Sequence, residues 1–356
     1  MSYTIDISKY IYKMLCNKNL QKALDVVKIN SYTSEQLKII IKYIIELAIA
    51  DRNFYIYIYI VIFSCKCDCE EYCSNIIEQY LNNILTTGFF DFYTKNIDKL
   101  IQSENYRFHS QIFLTSIRGL GILNHENEYI SGEYNFIKGY ISEIEHPTIF
   151  DVGAHIGTYS TMVKTIKNNA QIHAFEPHPK TFLKLKQVAK KNLFFAYNLG
   201  MSDHNGHCTL FDRMDTENGS SHASIYQDVI ENIHKTVSVQ FDINLVTLDT
   251  FLENVPEVGI IHLLKIDTEG HELAVIRGSR KSIESGIIRA IQFEFNEMNV
   301  SSRSFLRDYY EELPGYDFYR MLPDGLVALD NYRSPLMKEI FAFQNIVAMK
   351  RNSEES

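Results

Sequence analysis

Four acidic residues close β-rich runs in this sequence, and their placement suits a nucleoside bound beside a polyhydroxylated partner. Asp151 lies in the run 148–152, Glu176 follows 171–175, Asp267 follows 260–266 and Glu294 ends 287–293. Gly153 and Gly157 bracket the break between the first run and a helical pattern that starts near Ile156. A strand that turns tightly into a helix gathers free backbone N–H groups and the positive helix end at one spot. Glycines there remove the Cβ atoms that would hold a ligand off the backbone. The spacing is Gly-x-x-x-Gly, not the Gly-x-Gly-x-x-Gly of dinucleotide binders, which argues against a nicotinamide oxidoreductase. Glu176 stands where Rossmann-like units place the acid that accepts hydrogen bonds from a ribose diol.

Five motifs then follow in order: Phe150-Asp-Val-Gly-Ala-His-Ile-Gly157, Phe175-Glu-Pro-His-Pro179, Met201-Ser-Asp203, Thr247-Leu-Asp249 and Leu264-Lys-Ile-Asp-Thr-Glu-Gly-His-Glu272. The series resembles that of FkbM-type methyltransferases, from about Tyr106 to the C-terminus. The resemblance implies S-adenosylmethionine as cofactor, and many members methylate sugar hydroxyls. It implies a Rossmann-like class I methyltransferase sheet, and cofactor contacts from Asp151, Gly153, His155, Gly157, Glu176, Pro177, Ser202, Asp203 and Asp267. His155 stands where the family often has Asn, which points to backbone shaping more than chemistry. Glu133, after Ser131-Gly, resembles the segment upstream of the glycine motif and is expected near the cofactor. Its alternative is a helix-start carboxylate favoured by the dipole.

Methyl transfer to an alcohol needs an oxygen held in line and a base to take its proton. The candidates are His271, Glu294, Asp267 and Glu269; His271 has an ordinary pKa near neutrality. The polar stretch 212–236 is long for a loop within a compact fold and is expected to border the acceptor. Asn218, Ser220 and Ser221 there, with Glu272, are candidate sugar contacts. The acceptor is expected to be a nucleotide-activated sugar or a surface-polysaccharide (capsule) component, with any diphosphate lying outwards on Arg213, Lys235 or Arg303. A divalent cation on Asp267 and Glu269 is the less favoured alternative. A lipid, peptide or other small-molecule hydroxyl, and a non-catalytic scaffold, stay open.

These residues need a sheet to hold them. Strands alternating with helices from 148 onward read as a doubly wound, mostly parallel α/β sheet. Residues 5–101 read as helical, so the expected division is 1–104, an α-helical region for oligomerisation or partner binding, and 105–356, the methyltransferase-like domain. Thr33 to Gln36 reads as a capped helix start. Residues 111–116 look β-like, and 209–211 could pair back across the turn 203–206 as a hairpin.

The chain has 356 residues, is 46% apolar and carries a net charge of −9. That charge argues against nucleic acid as main partner. Lys180, Lys184, Lys186, Lys190 and Lys191 share one predicted helix and read as a solvated face. Asp6, Lys9 and Lys13 interrupt the first apolar positions, so no signal peptide and a cytoplasmic location are expected. The most apolar stretch, 54–63, is too short for a membrane span. Cys65, Cys67, Cys69 and Cys73 could hold zinc, but no second ligand pair follows at finger-like distance, so reduced thiols are the expectation.

Overall fold

The computed structural model describes residues 2–16, 22–23, 25–26, 32–50, 106–214, 219–329 and 338–351. The expected features at 54–63, the Cys65–Cys73 cluster, the cut at 104/105 and Asn218 lie outside them. The chain divides into two compact units, Met1–Gly119 and Leu120–Ser356.

In the first unit the helices Ser2–Cys16 and Ser34–Ala50 pack together. Ile11, Met14 and Leu15 on one, and Leu37, Ile40, Ile41 and Ile44 on the other, are buried at helical spacing. Thr33 caps the second helix reciprocally: its N–H donates to Gln36 Oε1 (2.9 Å), and Gln36 N–H donates to Thr33 Oγ1 (3.3 Å). Residues 111–116 are not a strand but lie inside the helix Tyr106–Gly119. No Gly or Pro interrupts that segment before Gly119, and β-propensity is too weak a preference to decide it alone. Among the described residues no helix is long and apolar enough to cross a membrane.

The second unit is built on an eight-stranded sheet. Its strands are β1 Thr148–Val152, β2 Gln171–Phe175, β3 Phe195–Tyr197, β7 Ile261–Ile266, β8 Ile288–Phe295, β9 Tyr316–Leu322, β10 Gly325–Ala328 and β11 Gln344–Lys350. The order is β10-β9-β11-β8-β7-β1-β2-β3. From β3 to β8 all pairs are parallel, and β11 runs antiparallel to both β8 and β9. The chain winds outwards from β1 in both directions, the doubly wound arrangement expected. A second sheet holds β4 Gly200–Met201, β5 Gly206–Arg213 and β6 Ser238–Val246, in the order β4-β6-β5. The expected 209–211 hairpin is therefore replaced: β4 and β5 do not pair across the turn, because β6 lies between them and pairs with both.

Strand alternation explains where the site falls. Side chains two apart share a sheet face. Phe150, Leu264 and Ile291 enter one core cluster, and Ile149, Leu263 and Ala290 enter the other. Two residues on from that second set, still on its face, stand Asp151, Lys265 and Gln292. The register sets Asp151 opposite Lys265 and Lys265 opposite Gln292. One face thus changes from apolar to charged towards the carboxyl ends of the strands, where open α/β sheets bind ligands.

Candidate active site

A cavity of about 400 Å³ opens over those strand ends. Its volume falls in the range that holds a nucleoside-sized ligand. Leu199, Met201, Leu210, Ile243 and Leu245 form an apolar wall, and Glu133, Lys265, Asp267, Glu269, Gln292 and Glu294 a polar one. Glu176 and His155 line the cavity as well.

Glu176 is almost fully buried at the end of β2. Its carboxylate accepts from the N–H groups of His155 (2.9 Å) and His178 (2.8 Å). Burial pushes its pKa up to about 7 against the pull of those two N–H groups and the His178 ring. His155 has φ 49°, a left-handed conformation uncommon for a side-chain-bearing residue. It reaches Glu176 through its backbone, which agrees with a shaping role; burial holds its ring pKa below the ordinary value.

The two motif glycines answer to the protein itself. A Cβ on Gly153 (φ 77°) would sit 1.7 Å from the carbonyl oxygen of Asp267. One on Gly157 (φ 87°) would meet Leu185, Phe194 and Val188. The first lets the ends of β1 and β7 close together, and the second seats the helix Thr158–Ile166 against Pro179–Asn192. The protein's own packing thus requires both glycines, and Gly153 lines the cavity as well.

Asp151 is also placed otherwise than expected. It is fully buried and accepts from Ser160 Oγ (2.6 Å), with Lys265 Nζ 3.4 Å from its other oxygen. Lys265 also donates to Asp267 Oδ2 (3.1 Å) and lies 5.2 Å from the centre of the Tyr159 ring. Burial alone would lower the Lys265 pKa, but Asp267, Asp151 and Glu133 outweigh it and hold the ammonium above its ordinary range. Gln292 joins the row, donating to Glu133 Oε1 (2.8 Å) and accepting from Tyr159 OH (2.9 Å). Glu133 is therefore anchored on the cavity wall, its pKa raised chiefly by burial.

Other expected contacts move away from the cavity. Ser202 is buried, with His271 Nε2 2.9 Å from its hydroxyl, and Asp203 pairs with His204 (2.7 Å). Gly200, Met201 and Pro177 supply the wall there. Glu272 is turned into its own loop, accepting from the N–H groups of Thr268 (2.9 Å) and Gly270 (3.1 Å), so it clamps a turn and is not part of the cavity lining. Ser220 lines the cavity, but its hydroxyl donates to Asp212; Ser221 lines it as well. Arg213, Lys235 and Arg303 are not on the cavity wall.

The candidate bases separate clearly. Burial pushes the His271 pKa down to about 4, and its other nitrogen lies 3.4 Å from Tyr226 OH. Glu294 is half-buried at the end of β8 and accepts from Asn296 Nδ2 (2.6 Å). Burial, then the charges of Asp267, Glu269, Glu272 and Glu133, raises its pKa well above the ordinary carboxylate value. Glu269 pairs with His222 (3.0 Å), while Asp267 pairs with Lys265 (3.1 Å). Sequence reasoning passed over Lys265, Gln292, Tyr159, His222 and His234. The one signal available was a charged or amide residue inside each apolar run, Lys265 in β7 and Gln292 in β8.

Residues 151–318 match the methyltransferase FkbM domain. The hexuronic acid methyltransferase AglP of Haloferax volcanii is 28% identical over 161 residues, which cover 44% of this chain and 60% of that protein. Methyltransferase 1 of Beauveria bassiana is 29% identical over 145 residues, covering 36% of this chain and 57% of the relative. The chain thus spans less than two thirds of either relative. Among solved structures, the precorrin-6y C5,15-methyltransferase of Geobacter metallireducens aligns over 61% of this chain and 87% of its own, with 9% identity and a TM-score of 0.32. The METTL16 methyltransferase domain aligns over 61% and 66%, with 11% identity and a TM-score of 0.35.

Proposed function

We propose that this chain, whose residues 151–318 match the methyltransferase FkbM domain, methylates a sugar hydroxyl, using S-adenosylmethionine, in the cavity over β1, β7 and β8. The observation that carries the reading is the buried Glu176 carboxylate in the lining of a cavity that apolar side chains and carboxylates also line. The residues fit the cofactor: Glu176 would accept from the ribose hydroxyls, and Leu199, Met201 and Leu245 would face the adenine. Bound S-adenosylmethionine supplies a methyl on a sulfonium, which leaves the protein to orient the acceptor and remove its proton. Carboxylates at this density suit the hydroxyls of a polyol and make an apolar acceptor costly, because charges would be buried beside it. The hexuronic acid methyltransferase among the relatives supports a sugar acceptor. A role of the N-terminal helices in oligomerisation or partner binding is part of the same proposal.

Calorimetry with S-adenosylmethionine tests the cofactor half. Hydrogen bonds to a charged group are worth roughly 1.5–3 kcal/mol each. Glu176→Ala should therefore weaken binding about ten- to several-hundred-fold, at roughly 1.4 kcal/mol per decade. Ribose donors favour the ionised carboxylate, so binding should expel the proton that Glu176 holds in the free site. Wild-type affinity should rise with pH and level off above about 7, where Glu176 is already ionised. Unchanged affinity in Glu176→Ala would remove the ribose assignment.

A further inference from the structure

The segment before β6 brings two histidines to the wall that Glu269 forms. His222 Nδ1 lies 3.0 Å from Glu269 Oε1. The His222 and His234 rings lie 4.6 Å apart, centre to centre. One ligating atom from each of His222, His234 and Glu269 lies within 4.8 Å of the others. His234 is set by an irregular turn: it follows the π-helix Val229–Ile233, and its N–H donates back to Val229 O. Such π turns are rare and occur often at functional sites. Glu269 is held with φ 53°, and its carbonyl accepts from Ser224 Oγ (2.8 Å).

An ion pair between His222 and Glu269, with the His234 ring tilted beside it, leaves two groups unexplained. Glu269 is 8% exposed, and its Oε2 is buried without a hydrogen-bond partner. His234 Nε2 is likewise buried without one. Unsatisfied buried polar atoms are costly, and a bound ion is one way to satisfy them. We propose that His222, His234 and Glu269 bind a divalent first-row transition ion of the zinc class. Two imidazoles select such ions over magnesium or calcium, which take oxygen ligands. Three protein ligands leave one position open, as catalytic zinc sites do. Ligands at zinc distances stand about 3.3 Å apart. His222 and Glu269 already meet that spacing, so His234 has the furthest to draw in. The ion would fasten the polar segment 219–234 to the turn after β7, at the edge of the cavity. This inference does not depend on the acceptor or on methyl transfer.

The test uses the full chain, stripped with a chelator and titrated with Zn²⁺, and with Co²⁺ as a visible-absorption probe. Because the Cys65–Cys73 cluster offers thiolates, the titration is run in a background with Cys65, Cys67, Cys69 and Cys73 changed to Ser. One equivalent should bind there, with the weak visible bands of nitrogen and oxygen ligation and no thiolate charge-transfer band. His234→Ala and Glu269→Gln should each lower affinity by more than the roughly 10–100-fold that losing an outer-shell partner costs. Circular dichroism of the stripped variants shows whether each is folded; His222→Ala serves if one is not. Absence of binding in the cysteine-free background, or equal affinity in the histidine variants, overturns the site. Preference for Mg²⁺ overturns the ion class.

Discussion

Glu294→Gln should lower turnover roughly 10²–10⁴-fold while S-adenosylmethionine affinity stays nearly normal. The amide keeps the shape and the contact with Asn296 (2.6 Å) but cannot take a proton. A base works best when its pKa lies near the operating pH. Burial and the carboxylates of Asp267, Glu269, Glu272 and Glu133 move Glu294 in that direction. His271 is moved the other way, down to about 4 by burial, and sits between Ser202 and Tyr226. His271→Ala should therefore cost far less turnover than Glu294→Gln. The wild-type rate should rise with pH as Glu294 ionises, and the variant should lose that limb. Wild-type turnover in Glu294→Gln would place the base elsewhere, or show that positioning alone suffices.

Lys265→Met should destabilise the fold by about 3–5 kcal/mol, because removing one partner of a buried pair strands the other. Asp151 is 0% exposed; with Lys265 gone it keeps only Ser160. Asp151→Asn combined with Lys265→Met should recover part of the loss, because the amide carries no charge to strand. Denaturant unfolding of the single and double variants reads both effects. A Lys265→Met variant within about 1 kcal/mol of wild type near neutral pH would show that the pair is not what holds β1 to β7.

The parts of this account that were legible in the sequence are local. Thr148–Val152 and Gln171–Phe175 announce themselves by composition, and Glu176 follows the second strand directly. Gln36 lies one turn from Thr33, so its cap could be read from spacing. The illegible parts depend on register and on distant pairing. That Asp151, Lys265 and Gln292 form one row follows from which strands are neighbours. β6 lacks a strong apolar run, and its role comes from offering an edge to both β4 and β5. That Gly153 also makes room for the carbonyl of Asp267 could not be read, because that carbonyl is distant in sequence. Glu272 looked like a free carboxylate because its partners are N–H groups of its own turn, which no side-chain pattern reveals. His222 and His234 meet Glu269 only through the fold.

The central claim is methylation of a sugar hydroxyl, and a mass-spectrometric acceptor screen tests it most directly. The purified full chain is incubated with S-adenosylmethionine and a panel of nucleotide-activated sugars, neutral hexoses and uronic acids together, with a lipid and a peptide hydroxyl as comparators. The acidic wall of Asp267, Glu269 and Glu294 predicts a gain of one CH₂ on a neutral sugar, faster than on a uronic acid, and abolished or strongly reduced by Glu294→Gln. Methylation of the lipid or the peptide, with every sugar unchanged, would contradict the account.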